Sequence, residues 1–196
     1  MSEEMHEPEE SENKDKQEKE KRSLIHYLIE FAIYLVLIAG CILWVPEHVI
    51  QRTRVDGESM SNTLHTGDNL LVEKVSYHFK DPKRYDIIVF HPKGTDAEKY
   101  YVKRIYGLPG ETIQIIDDQI YINGEAIADD YAKEGIDDPG IADEPITLAD
   151  DEYFVLGDNR GGSTDSRDSD LGPIKKKSIA GHVILRIWPF NQFGIP

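Results

Sequence analysis

Polar and apolar residues fall into three blocks along the chain. Residues 1–22 carry nine acidic and five basic side chains, with no aromatic or branched aliphatic residue. Such a segment buries nothing that could offset the entropy of ordering, so the tail, residues 1–23, is expected to be disordered. The block from Leu24 to Val45 (LIHYLIEFAIYLVLIAGCILWV) is 22 residues long and almost uninterruptedly apolar. As a helix it would measure about 33 Å, the thickness of a bilayer's hydrocarbon core. Its His26 and Glu30 lie in the first turns and Trp44 lies near the other end, where polar tips and an indole ring reach the interfaces. A cleaved signal peptide would be shorter and would end in small residues, whereas Pro46-Glu47-His48 follows here.

From residue 68 the pattern changes to short runs rich in β-branched and aromatic residues, divided by Gly, Pro, Asn and Asp. Strands are predicted at 69–73, 85–91, 100–106, 112–116, 119–122, 153–156 and 182–188. Asn123-Gly124 between two such runs predicts a two-residue hairpin turn, because both residues accept positive φ. Residues 128–151 break the pattern with a dense acidic stretch containing Pro and Gly, read as a solvated excursion. The fold class is therefore mainly β: a transmembrane helix at 24–45 followed by an all-β outer domain at 46–196.

Composition narrows the function classes. The 196 residues hold 22 Lys and Arg against 37 Asp and Glu, a net charge of −15. Setting aside the tail's nine acids and five bases and Glu30 leaves −10 on residues 46–196. That field repels phosphate backbones, so no nucleic-acid partner is expected. A single cysteine, Cys41, permits neither an internal disulfide nor a cysteine-built zinc site, and no ligand cluster for a metal is evident. No cofactor is expected. Five basic residues precede the apolar block (Lys14, Lys16, Lys19, Lys21, Arg22), while Arg52 and Arg54 follow it. The positive-inside rule then places the tail in the cytoplasm and the rest of a single-pass chain outside.

Three segments set reactive side chains beside residues with no evident packing role. The first is DGESMSNTL, 56–64, whose Ser59 could equally be an ordinary turn hydroxyl. The second is YYVKRIYGLPGE, 100–111. Strand alternation groups Tyr101, Lys103 and Ile105 on one face and Val102, Arg104 and Tyr106 on the other. Lys103 among apolar neighbours is either an edge-strand lysine that discourages aggregation or a functional amine. The third, GDNRGGSTDSRD at 157–168, reads in isolation as a polar loop of Asx turns and surface ion pairs.

Taken in order, SM…TL, GD…VEK, YDIIVF, YVKRIYGLPGE and GDNR…S.DSR resemble the bacterial type I signal peptidases of the single-span Gram-positive kind. The resemblance covers nearly everything from the apolar block to the C-terminus. It implies a membrane-anchored serine endopeptidase, with a catalytic domain of coiled antiparallel sheets, that removes signal peptides from secreted precursors after an A-x-A-like site. It also implies Ser59 as nucleophile, its backbone N–H as oxyanion donor, and Lys103 as general base. Ser163 would orient the lysine amine, Asp158 would pair with Arg104, and Asp165 with Arg167. Val55 and Val102 would line the substrate pockets. The bilayer is an implied partner, and the acidic stretch 128–151 is either a surface excursion or a contact for the translocation machinery.

Two departures from the family pattern stand out. Gly57 sits where many Gram-negative members have a serine, and Asn62 replaces the proline of SMxPT. Other readings fit less well. The self-cleaving repressors of the same clan lack a membrane span, and a catalytically inactive tethered scaffold would be expected to lose Ser59 or Lys103. None of the seven histidines lies in the three motifs, which disfavours a His-dependent hydrolase.

Overall fold

The computed structural model describes residues 8–92 and 99–196, with side chains at 24–44, 48–92 and 99–196. It divides into an N-terminal unit ending at Val45 and a unit from Pro46 to Pro196.

The N-terminal unit is one helix, α1, Pro8–His48. Its stretch Leu24–Trp44 is long and apolar enough to cross a membrane. Leu28, Phe31, Leu35 and Val36 along it are all exposed, as are its other large apolar side chains. His26 and Glu30, one turn apart, lie 3.3 Å from each other. Residues 8–22 are helical, where composition alone argued for disorder; the segment is rich in Glu and Lys, strong helix formers that can extend a helix already nucleated. Residues 1–7 lie outside the described residues.

The second unit is built from eleven strands. In chain order these are β1 (Ile50–Arg54), β2 (Asn69–Glu73), β3 (Ile87–Phe90), β4 (Tyr101–Gly107), β5 (Thr112–Ile116), β6 (Gln119–Ile122), β7 (Glu125–Ala126), β8 (Ile146–Thr147), β9 (Glu152–Leu156), β10 (Ile174–Lys175) and β11 (Ile179–Trp188). A short helix, α2 (Ser76–Phe79), precedes β3. Seven strands form one antiparallel sheet in the order β1-β2-β11-β3-β4-β9-β10, and β7-β6-β5-β8 form a second. Register shifts interrupt β11 against both β2 and β3, and β4 against β9. Each is a bulge that adds local twist, so the larger sheet curls into a half-barrel. All seven expected strands are present. Tyr85 is excluded from β3 by its positive φ of 73°, and Asn123-Gly124 makes the expected turn with φ 52° and 83°.

Alternation along β3 and β4 sorts their side chains onto two faces. Ile87 and Val89 join Val55, Met60, Leu64, Leu70, Val72 and Val183 in one cluster. Ile88, Phe90 and Ile105 join Tyr153, Val155, Leu171 and Ile174 in another. A third cluster, including Tyr106, Ile113, Ile120, Phe154 and Leu156, joins the two sheets. Fully burying a Leu, Ile or Phe contributes about 1.5–3 kcal/mol, so these clusters supply the core that disulfides cannot.

The acidic stretch 128–151 is not the solvated excursion its composition suggested. Ile136, Ala142 and Leu148 are buried in the third cluster, and residues 146–147 form β8. Asp129 pairs with Arg160 at 2.5 Å. The Tyr131 ring covers the Arg104 guanidinium at 3.6 Å. Acidic side chains dominate the average, but widely spaced apolar residues carry the packing.

Candidate active site

β1 leads through buried Val55 into a loop closed at its neck by Val55 N–H to Asp68 C=O, 2.9 Å, and Gly67 N–H to Val55 C=O, 2.9 Å. Inside that neck the chain takes one tight turn, with Thr63 and Leu64 N–H donating to Met60 C=O at 2.8 and 2.6 Å. Met60 and Leu64 are buried in the core and anchor the turn. Ser59 immediately precedes the anchor and is half-buried. Gly57 has φ 129°, a conformation open to glycine and strained for any other residue. The departure from serine at that position thus has a backbone cause.

β4 delivers Lys103. Opposite Ile88 on β3, it stands on the face of Tyr101 and Ile105, and its ammonium lies 5.2 Å from the Tyr101 ring centroid. Pairing of β4 with β9 stops at Arg104↔Leu156, so the ladder has ended beside Lys103 and leaves room for the Ser59 loop. Lys103 Nζ lies 2.7 Å from Ser59 Oγ and donates to Val102 C=O at 3.2 Å. The side chain is 3 % exposed. Burial pulls its ammonium down from 10.5 to about 8, against the opposing pull of the Asp165 and Asp158 carboxylates.

Those carboxylates are themselves engaged. Arg104 holds Asp158 through two parallel bonds, Nε to Oδ1 at 3.0 Å and Nη2 to Oδ2 at 2.8 Å. Arg104 also donates to Tyr85 C=O at 3.0 Å. Both partners are almost wholly buried, 2 % and 0 % exposed, which only a fully hydrogen-bonded pair tolerates. Arg167 grips Asp165 in the same forked way at 2.9 and 3.0 Å, and Asp165 accepts the Gly157 N–H at 3.0 Å. The expected pairs Asp158–Arg104 and Asp165–Arg167 are thus both present.

Ser163 is placed differently from expectation. Its hydroxyl is buried and has no hydrogen-bond partner among the described residues; the lysine amine meets Ser59 Oγ and Val102 C=O instead. The hydroxyl occupies space that a side chain at Gly157 would fill. A Cβ built at Gly157 would lie 2.2 Å from Ser163 Oγ and 2.4 Å from the Ser59 carbonyl oxygen. Gly157 is therefore required by close approach.

Several contributors are not evident from motif reading. Asn159 donates its backbone N–H to Ser59 C=O at 3.0 Å and its side-chain amide to Glu58 C=O at 2.9 Å. Thr63 Oγ1 donates to Asp158 Oδ2 at 2.6 Å, and Asn62 Nδ2 to Asp158 C=O at 2.7 Å. Their only advance signal is position, inside the first and third motifs. A cleft of about 510 Å³ opens beside Ser59 and Lys103, walled by Thr53–Val55 on one side and Tyr100–Val102 on the other. Val55 and Val102 both line it. No cluster of His, Cys, Asp and Glu fit to hold a metal occurs among the described residues.

A family profile described as "Signal peptidase, peptidase S26" matches residues 28–188, most of the chain. The chain belongs to the type I signal peptidase family. Family membership makes it a serine peptidase that acts on signal peptides. A signal peptidase I of Bacillus amyloliquefaciens is 36% identical over 184 residues, covering 90% of this chain and 97% of that one. A signal peptidase I of Leptolyngbya laminosa is 37% identical over 158 residues, covering 78% of this chain and 75% of that one. The crystal structure of an Enterococcus faecalis signal peptidase I is 34% identical, covering 53% of this chain and 97% of that one, with a TM-score of 0.44.

Proposed function

We propose that this signal peptidase is a membrane-anchored endopeptidase that cuts secreted precursors after an A-x-A-like site, with Ser59 as nucleophile and Lys103 as general base. The observation that carries the assignment is the 2.7 Å approach of Lys103 Nζ to Ser59 Oγ at a buried position. A buried lysine reaches the neutral state at mild pH, which a base must do before it can accept a proton. Ser59 Oγ attacks the scissile carbonyl as its proton passes to Nζ. The oxyanion takes the Ser59 backbone N–H. Collapse breaks the C–N bond, and the Lys103 ammonium returns the proton to the departing amine. A water molecule, deprotonated by the again neutral Lys103, then hydrolyses the acyl ester and restores the serine.

The precursor lies extended in the cleft between Thr53–Val55 and Tyr100–Val102, where Val55 and Val102 leave shallow space that admits small side chains and excludes large ones. The helix segment Leu24–Trp44 holds the enzyme in the bilayer that also holds the precursor's apolar segment. The basic residues before that span put the N-terminus in the cytoplasm and the catalytic domain outside. The deciding experiment is cleavage in detergent of a precursor with an A-x-A site by wild type, Ser59→Ala and Lys103→Ala, with the new N-terminus sequenced. A cut after the small residue that is lost in both variants, all equally folded, supports the assignment. Retained activity in either variant refutes it.

A further inference from the structure

The turn that carries Ser59 is held unevenly. On its upstream side Gly57 and Glu58 are exposed, and Thr66, within the same loop, accepts the Gly57 N–H at 3.1 Å while its hydroxyl lies 3.0 Å from the Gly57 C=O. Those bonds close the loop on itself, whereas the restraint that ties it to β4 comes from downstream, where the turn meets residues 157–159. Asn159 fixes the carbonyls of Glu58 and Ser59, while Asn62 and Thr63 both reach Asp158, one its carbonyl and the other its carboxylate. Asp158 is in turn forked to Arg104, the residue next to Lys103 on β4. An unbroken path therefore links the nucleophile to its base through Asn62, Asp158 and Arg104.

Within this path Asn62 has a distinct place. Its amide is the sole donor to the Asp158 carbonyl among the described residues, at 2.7 Å and partly buried. Where the family pattern has proline, which restrains a turn through its ring, this chain has a residue that restrains it by a bond to the opposite wall.

We propose that Asn62 is a positioning residue, whose side-chain amide locks the Ser59 turn onto the Asp158–Arg104 pair and so sets the distance between Ser59 Oγ and Lys103 Nζ. The proposal rests on the assignment of those two residues to the chemistry. Loss of the bond lets the turn drift relative to β4, and a misplacement of about 1 Å at a reacting atom is costly in rate. Substrate contacts and the burial of Lys103 are untouched.

The test uses the full chain in detergent and an A-x-A precursor, comparing wild type with Asn62→Ala and Asn62→Asp, the latter near-isosteric but with an acceptor replacing the donor. Rates are taken per folded molecule, below the thermal midpoint of each protein. Asn62→Ala is expected to lower kcat roughly five- to tenfold, with KM held within about twofold and the pH midpoint of kcat unmoved. Asn62→Asp is expected to fall further, because its carboxylate faces the Asp158 carbonyl. Unchanged kcat in both variants overturns the proposal. So does a rise in KM alone, which would make Asn62 a substrate contact, or an upward move of the pH midpoint, which would mean that water had reached Lys103. Ser59→Ala, run alongside, separates the two levels: activity there refutes the serine–lysine assignment itself, whatever Asn62 does.

Discussion

Replacing Lys103 by Met should make the protein inactive and, at neutral pH, more stable. The lysine is 3 % exposed, so solvent screening gives little relief to its charge. Burial pulls it from 10.5 in the unfolded chain to about 8 in the folded one. A group with a lowered folded value binds more protons when unfolded, so its contribution to stability rises with pH between about 8 and 10.5 and its full cost applies below about 8. At pH 7 that cost is about 3 kcal/mol, since each pH unit of displacement is worth about 1.4 kcal/mol. Met has a similar length and no charge. It forfeits the contact with Ser59, worth about 1 kcal/mol, which leaves a net gain near 2 kcal/mol, or about 4–8 °C in Tm for a domain of this size. Thermal unfolding of both proteins in detergent from pH 6.5 to 10.5 checks this, with the gap closing as pH rises. As the proposed base, the same lysine should make wild-type kcat/KM rise about tenfold per pH unit below about 8 and level off above it. A variant less stable than wild type at pH 7, or a gap that ignores pH, would refute the burial argument.

Three further outcomes follow from the geometry. Gly157→Ala forces a Cβ to within 2.2 Å of Ser163 Oγ and 2.4 Å of Ser59 O, so cleavage should fall by about a hundredfold or more as the nucleophile is displaced, read in the precursor assay. Asp158→Asn leaves the Arg104 guanidinium buried without its counter-charge and should cost about 3–5 kcal/mol in urea unfolding, while the double replacement Asp158→Leu with Arg104→Met should cost less than Asp158→Asn alone. Ile136→Ala, in the middle of the acidic stretch, should cost about 2–4 kcal/mol because Ile136 is only 5 % exposed; a change below about 0.5 kcal/mol would return that stretch to solvent.

The strands were legible where apolar residues are dense and opaque where they are sparse. NLLVE, TIQII and QIYI carry enough apolar residues to mark β2, β5 and β6 to the residue. IQRTR does not, because β1 is the edge of the larger sheet and its arginines reach solvent, leaving one apolar residue to signal a strand. β7, β8 and β10 have two residues each, shorter than any periodicity can reveal. They exist because neighbouring strands offer unpaired edges. The N-terminal helix shows the opposite failure: residues 8–22 hold no apolar run, yet propensity and continuity with the apolar helix suffice to keep them helical.

The site was legible in its residue types and not in its distances. Ser59 and Lys103 stand 44 residues apart, and nothing in that spacing demands 2.7 Å. What brings them together is a set of buried charges whose cost can be borne only in one arrangement. Arg104 cannot be buried unless Asp158 faces it, Asp158 brings Thr63 and Asn62, and those fix the turn that ends in Ser59. On the far side Tyr131 covers the Arg104 guanidinium and Asp129 meets Arg160, so part of the acidic stretch seals the back of the same charged network. An acidic composition reads as solvation only when the acids lack buried partners. Here Asp129, Asp158 and Asp165 each meet an arginine that is itself buried. Among the buried cations of the described residues, Arg104, Arg160 and Arg167 each have an acid, which leaves Lys103 as the one with no carboxylate in hydrogen-bond contact, its amine meeting the Ser59 hydroxyl and a backbone carbonyl. That is the condition under which a lysine can lose its proton at mild pH: neighbouring carboxylates are present, but arginines hold them away from it.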